Sequence, residues 1–415
     1  MEKIIFLVDM NAFFVSCELS RRPELKGKPA AVAGDPKKRS GIILAANYEA
    51  RGLGIKTTMV LYEAKRLCPE LILLPPDHSF YEERSQEVME LLNSFTPLVE
   101  QNSIDEAWLD MTGSENIFGK PLEAAEKIME RIETELGLWC SIGISENKFL
   151  SKMASEMKKP LGITELWLED IPSKLWPLPV DYMYGVGKRT AEKLNSLGIF
   201  TIKDLAKEDI NKLKSLLGKS GEHLSALSNG IDNDPVCPQI HGSMKSIGRS
   251  TTLSEDTVSL EKAKLVIMDL VEEIGMTARK HNKLGKTVQI SIKYSDFKSI
   301  TRQVSINETN LTKDILRSSV TLLEKIWDPN KPVRLLGVCL IGFGEDESSQ
   351  LSFFDSIEAP KNKEKEVRLE SVMDAIRNKH GYKSLKRASL INKTHYQVHC
   401  SHGDSSLDSV FFILM

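Results

Sequence analysis

The chain opens on an uninterrupted apolar run, Ile4 to Val8, closed by Asp9. A short run without polar alternation reads as a strand buried on both faces. A helix-compatible stretch, Ala12 to Leu19, follows. Two short apolar runs in KPAAVAG and SGIILAANYEA read as strands, and a helix is predicted around Leu61 to Leu67. Next come a long amphipathic pattern (Tyr81 to Phe95), two strands (Leu98 to Asn102 and Ala107 to Met111), a helix (Leu122 to Leu136), a strand (Cys140 to Ser145) and another helix. The two strands flanking Ser103 to Glu106 read as a hairpin, which favours α+β over a doubly wound sheet. From Pro172 to Gly230 the pattern becomes short helices broken by Gly and Pro, and 231–241 (IDNDPVCPQIH) has the composition of a linker. Strand-like runs (Thr287 to Tyr294, Thr301 to Ile306, Leu335 to Ile341) interleave with helical patterns (Leu260 to Lys280, Lys313 to Ile326), predicting a second α+β unit. Beyond Gly344 the mixed-charge polar sequence reads as mostly disordered up to a helix at Val367 to Lys379.

The 415 residues, 41% of them hydrophobic, suffice for about three domains of roughly 150 residues. The longest apolar runs, IIFLV and the terminal VFFILM, fall far short of the ~20 residues that cross a bilayer. MEKIIFLVDM carries no export-signal pattern, and six cysteines without a CxxC pair suggest neither a disulfide framework nor a zinc ribbon. A reducing, cytoplasmic setting is the expectation. Net charge is −3, but the average hides an uneven distribution: residues 242–341 hold 16 Lys and Arg against 11 Asp and Glu, while 82–110 is strongly acidic. One region suits a phosphate backbone, the other metal ions.

Asp9 ends the first strand, and Asp105 with Glu106 lies in the SIDEAWLD turn. Adjacent residues of a regular strand point to opposite faces, so both acids serve one site only from a turn or bulge. Three converging carboxylates suit Mg²⁺ and two-metal phosphoryl transfer. From spacing alone, solvated caps at strand ends are the more ordinary reading.

Five motifs change that weighting: VDMNAFFVSCE, NYEARGLGI, SIDEAWLD, NKFLSKMASEMKKPLG and GVGKRTAEKLNSLGI. In this order they resemble the successive signatures of Y-family DNA polymerases, nearest the bacterial DNA polymerase IV and UmuC-like branch, over residues 1–355. The resemblance implies a right-hand, α+β multidomain enzyme. Its parts are a ferredoxin-like palm (1–10 and 77–165), small fingers (11–76), a helix-hairpin-helix thumb (166–230), a linker (231–241), an α+β little finger (242–345) and a tail (346–415). The implied activity is low-fidelity, template-directed DNA synthesis past lesions, without proofreading. It would use two Mg²⁺ ions, primer-template DNA and dNTPs, in a monomer of the cytoplasm associated with the nucleoid.

By resemblance, Asp9, Asp105, Glu106 and the carbonyl of Met10 hold the metals. Asn11 stands where the family often has Asp, at a position not expected to bind metal. Phe14 matches the steric gate against a ribose 2′-OH, although a lone Phe usually just packs in a core. Tyr48 and Arg51, three apart on one helical turn, suit a triphosphate. Lys159 matches a basic residue reaching the same phosphates, and Lys148 a lysine near the DNA. Ile42 and Leu44 match the roof over the nascent base pair. Ala45 replaces a common Thr or Ser and removes one phosphate contact.

GVGKRTAEKLNSLGI lacks the third glycine of a dinucleotide fingerprint, Thr190 standing there, and fits a helix-hairpin-helix in which Gly185 and Gly187 let backbone N–H groups meet a DNA phosphate. In the basic region, Lys245, Arg249, Lys293, Arg302 and Arg334 are candidate phosphate contacts, with solvated surface cations as the plain alternative. Gln350, Leu351, Phe353 and Phe354 resemble a sliding-clamp-binding peptide. His395, His399, Cys400 and His402 fit no standard metal spacing. Two rivals share parts of this pattern: a nucleotidyl cyclase-like enzyme, which lacks the thumb and basic domain, and a non-catalytic DNA and clamp adaptor, which has no need of the acidic trio.

Overall fold

The computed structural model describes residues 3–35, 41–238, 244–343 and 359–391. The described residues form two compact units, one within 3–238 and the other within 244–391. In the first, the strands in chain order are β1 (Ile5–Met10), β2 (Ala30–Ala33), β3 (Ile43–Ala46), β4 (Ile72–Leu74), β5 (Val99–Gln101), β6 (Glu106–Asp110), β7 (Cys140–Ser145) and β8 (Ile163–Glu165).

The unalternating opening run is β1, buried throughout and central in a sheet of order β5-β6-β1-β7-β8. Antiparallel pairing sets Asp9 opposite Glu106 on one side and Ser141 on the other. Phe6, Val8, Leu109 and Ile144 form a core with Tyr81 and Val88 of helix His78–Asn93 and with Ile128 and Ile132 of helix Pro121–Leu136. Ile5, Leu7 and Trp108 face the other way and pack with Val236.

Val236 belongs to the stretch read as a linker, and that stretch is tied down. Asp232 accepts the N–H of Phe149 (2.9 Å), the Pro235 carbonyl accepts from Lys148 (3.2 Å), and the Cys237 N–H donates to Glu100 (2.8 Å). Residues 231–238 are irregular in backbone yet anchored to the sheet; 239–243 lie outside the described residues.

A small sheet, β3-β2-β4, packs on helices Tyr48–Gly52 and Leu61–Leu67 around Ala31, Ile43, Ile55 and Leu71. Short helices from Lys188 to Ser228 share a core with helix Lys148–Met157, where Leu150 and Met153 meet Leu175, Leu194 and Leu205.

In the second unit, β9 (Ser246–Thr257), β10 (Gly285–Tyr294), β11 (Ser299–Thr309) and β12 (Val333–Phe343) form a sheet of order β11-β10-β12-β9. Helices Leu260–Lys280 and Thr312–Ile326 cover one face, burying Val288, Ile290, Ile292, Val338 and Leu340. The tail departs from its reading as disorder up to residue 367: a helix runs from Ala359 to His380. Ionised groups seat it. Buried Arg377 pairs with buried Glu272 (2.8 Å), and Arg279 pairs with Glu370 (2.9 Å) and Asp374 (2.6 Å). Leu369, Val372 and Ile376 remain exposed. Among the described residues no helix is long and apolar enough to cross a membrane.

Candidate active site

β1 ends with the Met10 N–H donating to the Asp105 carbonyl (2.8 Å), while residues 103–105 bend and β6 begins at Glu106. Asp105 therefore closes the turn and Glu106 opens the strand, which frees these neighbours from the alternation of a regular strand. Ala12 adopts a left-handed conformation (φ 49°) and turns the chain into helix Phe13–Ser20. Asp9, Met10, Phe14, Asp105 and Glu106 line one cleft of about 390 Å³, together with Leu44, Ala45, Tyr48, Arg51 and Lys159.

The Phe14 ring stacks on Tyr81 (centroids 4.6 Å apart, 16° between planes), and the Tyr81 hydroxyl donates to buried Glu18 (2.8 Å). Arg51 lies over the Tyr48 ring (4.9 Å) and its Nε donates to the Ala46 carbonyl (2.8 Å). The Tyr48 hydroxyl is buried without a hydrogen-bond partner among the described residues, an acceptor or donor awaiting company in this cleft. Burial raises its pKa, against the opposing charges of Arg51 and Lys159. Leu44 reaches the cleft, but Ile42 is not among its lining residues; it bridges to Val60 just before β3.

Sequence reasoning missed Lys152, which sits among the acids. Its Nζ donates to Asp9 Oδ2 (3.2 Å) and to Glu106 Oε2, and lies 3.4 Å from Glu156. Lys159 pairs with Asp9 (2.9 Å) and Glu156 (2.7 Å). The available signal was the i, i+4 spacing of Lys152 and Glu156 on helix Lys148–Met157, with Lys159 just past its end. Burial alone would lower the Lys152 pKa, but Glu106 and Asp9 outweigh it and hold the amine above its ordinary range. Burial raises the pKa of Asp105; the Ser103 hydroxyl and the Lys152 charge oppose this, and the Asp9 charge adds to it. Also missed was Thr57, another residue lining the cleft. Buried Asn11 donates to Ser141 (3.1 Å) and accepts the Leu161 N–H (2.9 Å), fixing the turn that follows Lys159.

The donor chemistry fits a hard divalent cation, with three carboxylates around one cleft. Yet no group of three or more His, Cys, Asp or Glu among the described residues stands ready to hold an ion. Each carboxylate already has partners: Asp9 has the two lysines, Asp105 accepts from Ser103 (2.6 Å), and Glu106 accepts from Asn102 and Lys152.

Comparison with known proteins places this cleft in a family. The impB/mucB/samB family matches residues 8–156, its C-terminal domain 244–353, and the IMS family HHH motif 169–199. DNA polymerase IV of Clostridium kluyveri is 56% identical over 398 residues, spanning 95% of this chain and 100% of its own. The chain belongs to the Y-family polymerases. DNA polymerase IV 1 of Bacillus subtilis is 42% identical, with 94% of each chain covered. A solved Y-family DNA polymerase chimera superposes with a TM-score of 0.72 at 29% identity, covering 82% of this chain and 99% of its own.

Within this Y-family chain the expected DNA contacts divide. Gly185 has φ 91° and needs a glycine, whereas Gly187 caps helix Lys188–Asn195 at an ordinary φ with open space around it. Lys148 is buried and bonded to both Glu100 oxygens (2.7 and 2.8 Å). Arg249 also faces inward. It pairs across the sheet with buried Val338, on the helix-covered face, and meets Glu273 (3.4 Å). Arg302 shares that face opposite Ile290, but on the exposed edge strand. Lys245 is exposed, Lys293 points to the open face, and Arg334 lies over Phe297 (4.7 Å). The open face also carries Ser250, Thr252, Gln289, Ser291, Thr301 and Gln303, uncharged hydroxyls and amides, beside Leu335, Cys339 and Ile341. Gln350, Leu351, Phe353, Phe354 and the His/Cys tail cluster lie outside the described residues.

Proposed function

We propose that the Asp9, Asp105 and Glu106 cleft is the catalytic centre of a translesion DNA polymerase, holding two Mg²⁺ ions through those carboxylates and the Met10 carbonyl. The chain is a DNA-directed DNA polymerase of low fidelity, acting on primer-template DNA with dNTPs. Bound there, the ions would lower the pKa of a primer 3′-hydroxyl and neutralise the departing pyrophosphate. Arg51, Lys159 and the unpartnered Tyr48 hydroxyl bind triphosphate oxygens. Phe14, braced by Tyr81, excludes a ribose 2′-hydroxyl. Residues 1–10 and 77–165 serve as palm, 11–76 as fingers, 166–230 as thumb and 242–345 as little finger. Gly185, Lys245, Lys293, Arg302 and Arg334 hold the DNA backbone, residues 350–354 bind a sliding clamp, and the enzyme works as a nucleoid-associated monomer.

The observation that carries this reading is the single cleft shared by the acidic trio, the aromatic gate and the basic pair. Primer extension with Mg²⁺ on intact and lesion-bearing templates tests it. Asp9→Ala and Glu106→Gln each abolish extension while DNA binding persists; extension by either variant at the parent rate refutes the assignment.

A further inference from the structure

Lys152 has the most demanding surroundings in the cleft. Its side chain and those of Asp9 and Glu106 are each only 12% exposed. Lys152 reaches both acids, whereas Lys159 reaches Asp9 and Glu156. The ammonium bridges the two acids and offsets the repulsion between like charges at this depth.

We propose that Lys152 is a displaceable internal cation, standing in the metal-free protein at the position a divalent ion takes and giving way when that ion enters. The proposal rests on reading Asp9 and Glu106 as metal-holding carboxylates. Three observations carry it. First, Lys152 touches one oxygen of each of two carboxylates read as metal-holding, Asp9 Oδ2 and Glu106 Oε2. Mg²⁺ binds oxygen at roughly 2.0–2.1 Å, so an ion on that pair displaces Nζ from its present place. Second, among the described residues Lys152 is the ammonium that joins Asp9 to Glu106, Lys159 pairing instead with Asp9 and Glu156. Third, the amine has somewhere to go. Glu156 Oε1 lies 3.4 Å away, one helical turn on, and its side chain is 41% exposed, so outward movement leaves no buried charge unpaired.

The consequence is a metal affinity held down in the free enzyme. A manganous-ion titration of the full chain tests this, with free Mn²⁺ followed by electron paramagnetic resonance and neither DNA nor nucleotide present. Lys152→Met and Lys152→Gln bind Mn²⁺ at least tenfold more tightly than the parent, and Lys152→Arg restores parental affinity. Metal-free Lys152→Met melts below the parent, and Mn²⁺ narrows the gap. Unchanged or weaker binding by both neutral variants overturns the proposal. So does a melting deficit that is equal with and without Mn²⁺, the mark of a lysine that only braces the fold. Adding Glu106→Gln to the parent and to Lys152→Met keeps the premise separate. If it alters neither titration, the carboxylate reading itself has failed.

Discussion

Lys148→Met distinguishes a DNA contact from a structural ion pair. In the native protein the Lys148 ammonium donates to both oxygens of Glu100, to the Pro235 carbonyl, and lies 4.9 Å from the Trp108 ring. Side-chain exposures are 11% for Lys148 and 8% for Glu100, so removing the amine strands a carboxylate with the Cys237 N–H as its remaining donor among these contacts. Breaking one side of such a buried pair costs about 3–5 kcal/mol. For a unit of this size each kcal/mol moves Tm by roughly 2–4 °C, so Lys148→Met melts roughly 6–20 °C below the parent. Differential scanning calorimetry of the full chain reads this directly. Lys148→Met with Glu100→Gln recovers much of the loss, because no charge is left buried. DNA binding by fluorescence anisotropy supplies the other arm: a phosphate contact contributes about 0.9 to the salt slope, and here the slope stays at the parental value. An unchanged Tm with a slope reduced by about one would refute the buried-pair account and restore Lys148 to the DNA surface.

Phe14→Val raises ribonucleotide insertion at least tenfold, about 1.4 kcal/mol of lost discrimination; primer extension with paired dNTP and rNTP substrates measures it, and equal sugar selectivity contradicts the gate. Asp269, pushed up to about 6 by burial, then by Glu273 and Glu272 against Lys386 and Arg377, keeps a proton in the folded chain that the unfolded chain has released. Stability therefore falls as pH rises from about 4 to 6, and Asp269→Asn gains up to about 3 kcal/mol at pH 7 but nothing at pH 4, as melts at the two pH values report. Deleting residues 350–354 abolishes clamp-stimulated processivity and spares distributive synthesis; retained stimulation would assign the clamp contact elsewhere.

Much of the fold was legible because its strands and helices carry strong local patterns. Helix Leu61–Leu67 and strand Cys140–Ser145 keep the bounds their apolar positions suggested. The acidic trio was legible through its turn, since only a break in alternation lets Asp105 and Glu106 share a cleft. What sequence hid was the direction of charges. Arg249 and Lys293 look alike on paper, but register turns the first toward Glu273 and the second to the open face. Lys148 and Lys152 lie one helical turn apart, and only the packing of helix Lys148–Met157 sends one to Glu100 and the other to Asp9. The anchoring of 231–238 was hidden for a similar reason: its partners lie 83–137 positions earlier in the chain, beyond any local periodicity.

Helix Ala359–His380 turns a charged stripe inward and leaves Leu369, Val372 and Ile376 in water, the reverse of an ordinary surface helix. Its hold on the second unit thus owes little to oily surface withdrawn from solvent, the contribution that fades in the cold. Refrigeration leaves this strap fastened, and strong acid, which strips carboxylates of their charge, unfastens it.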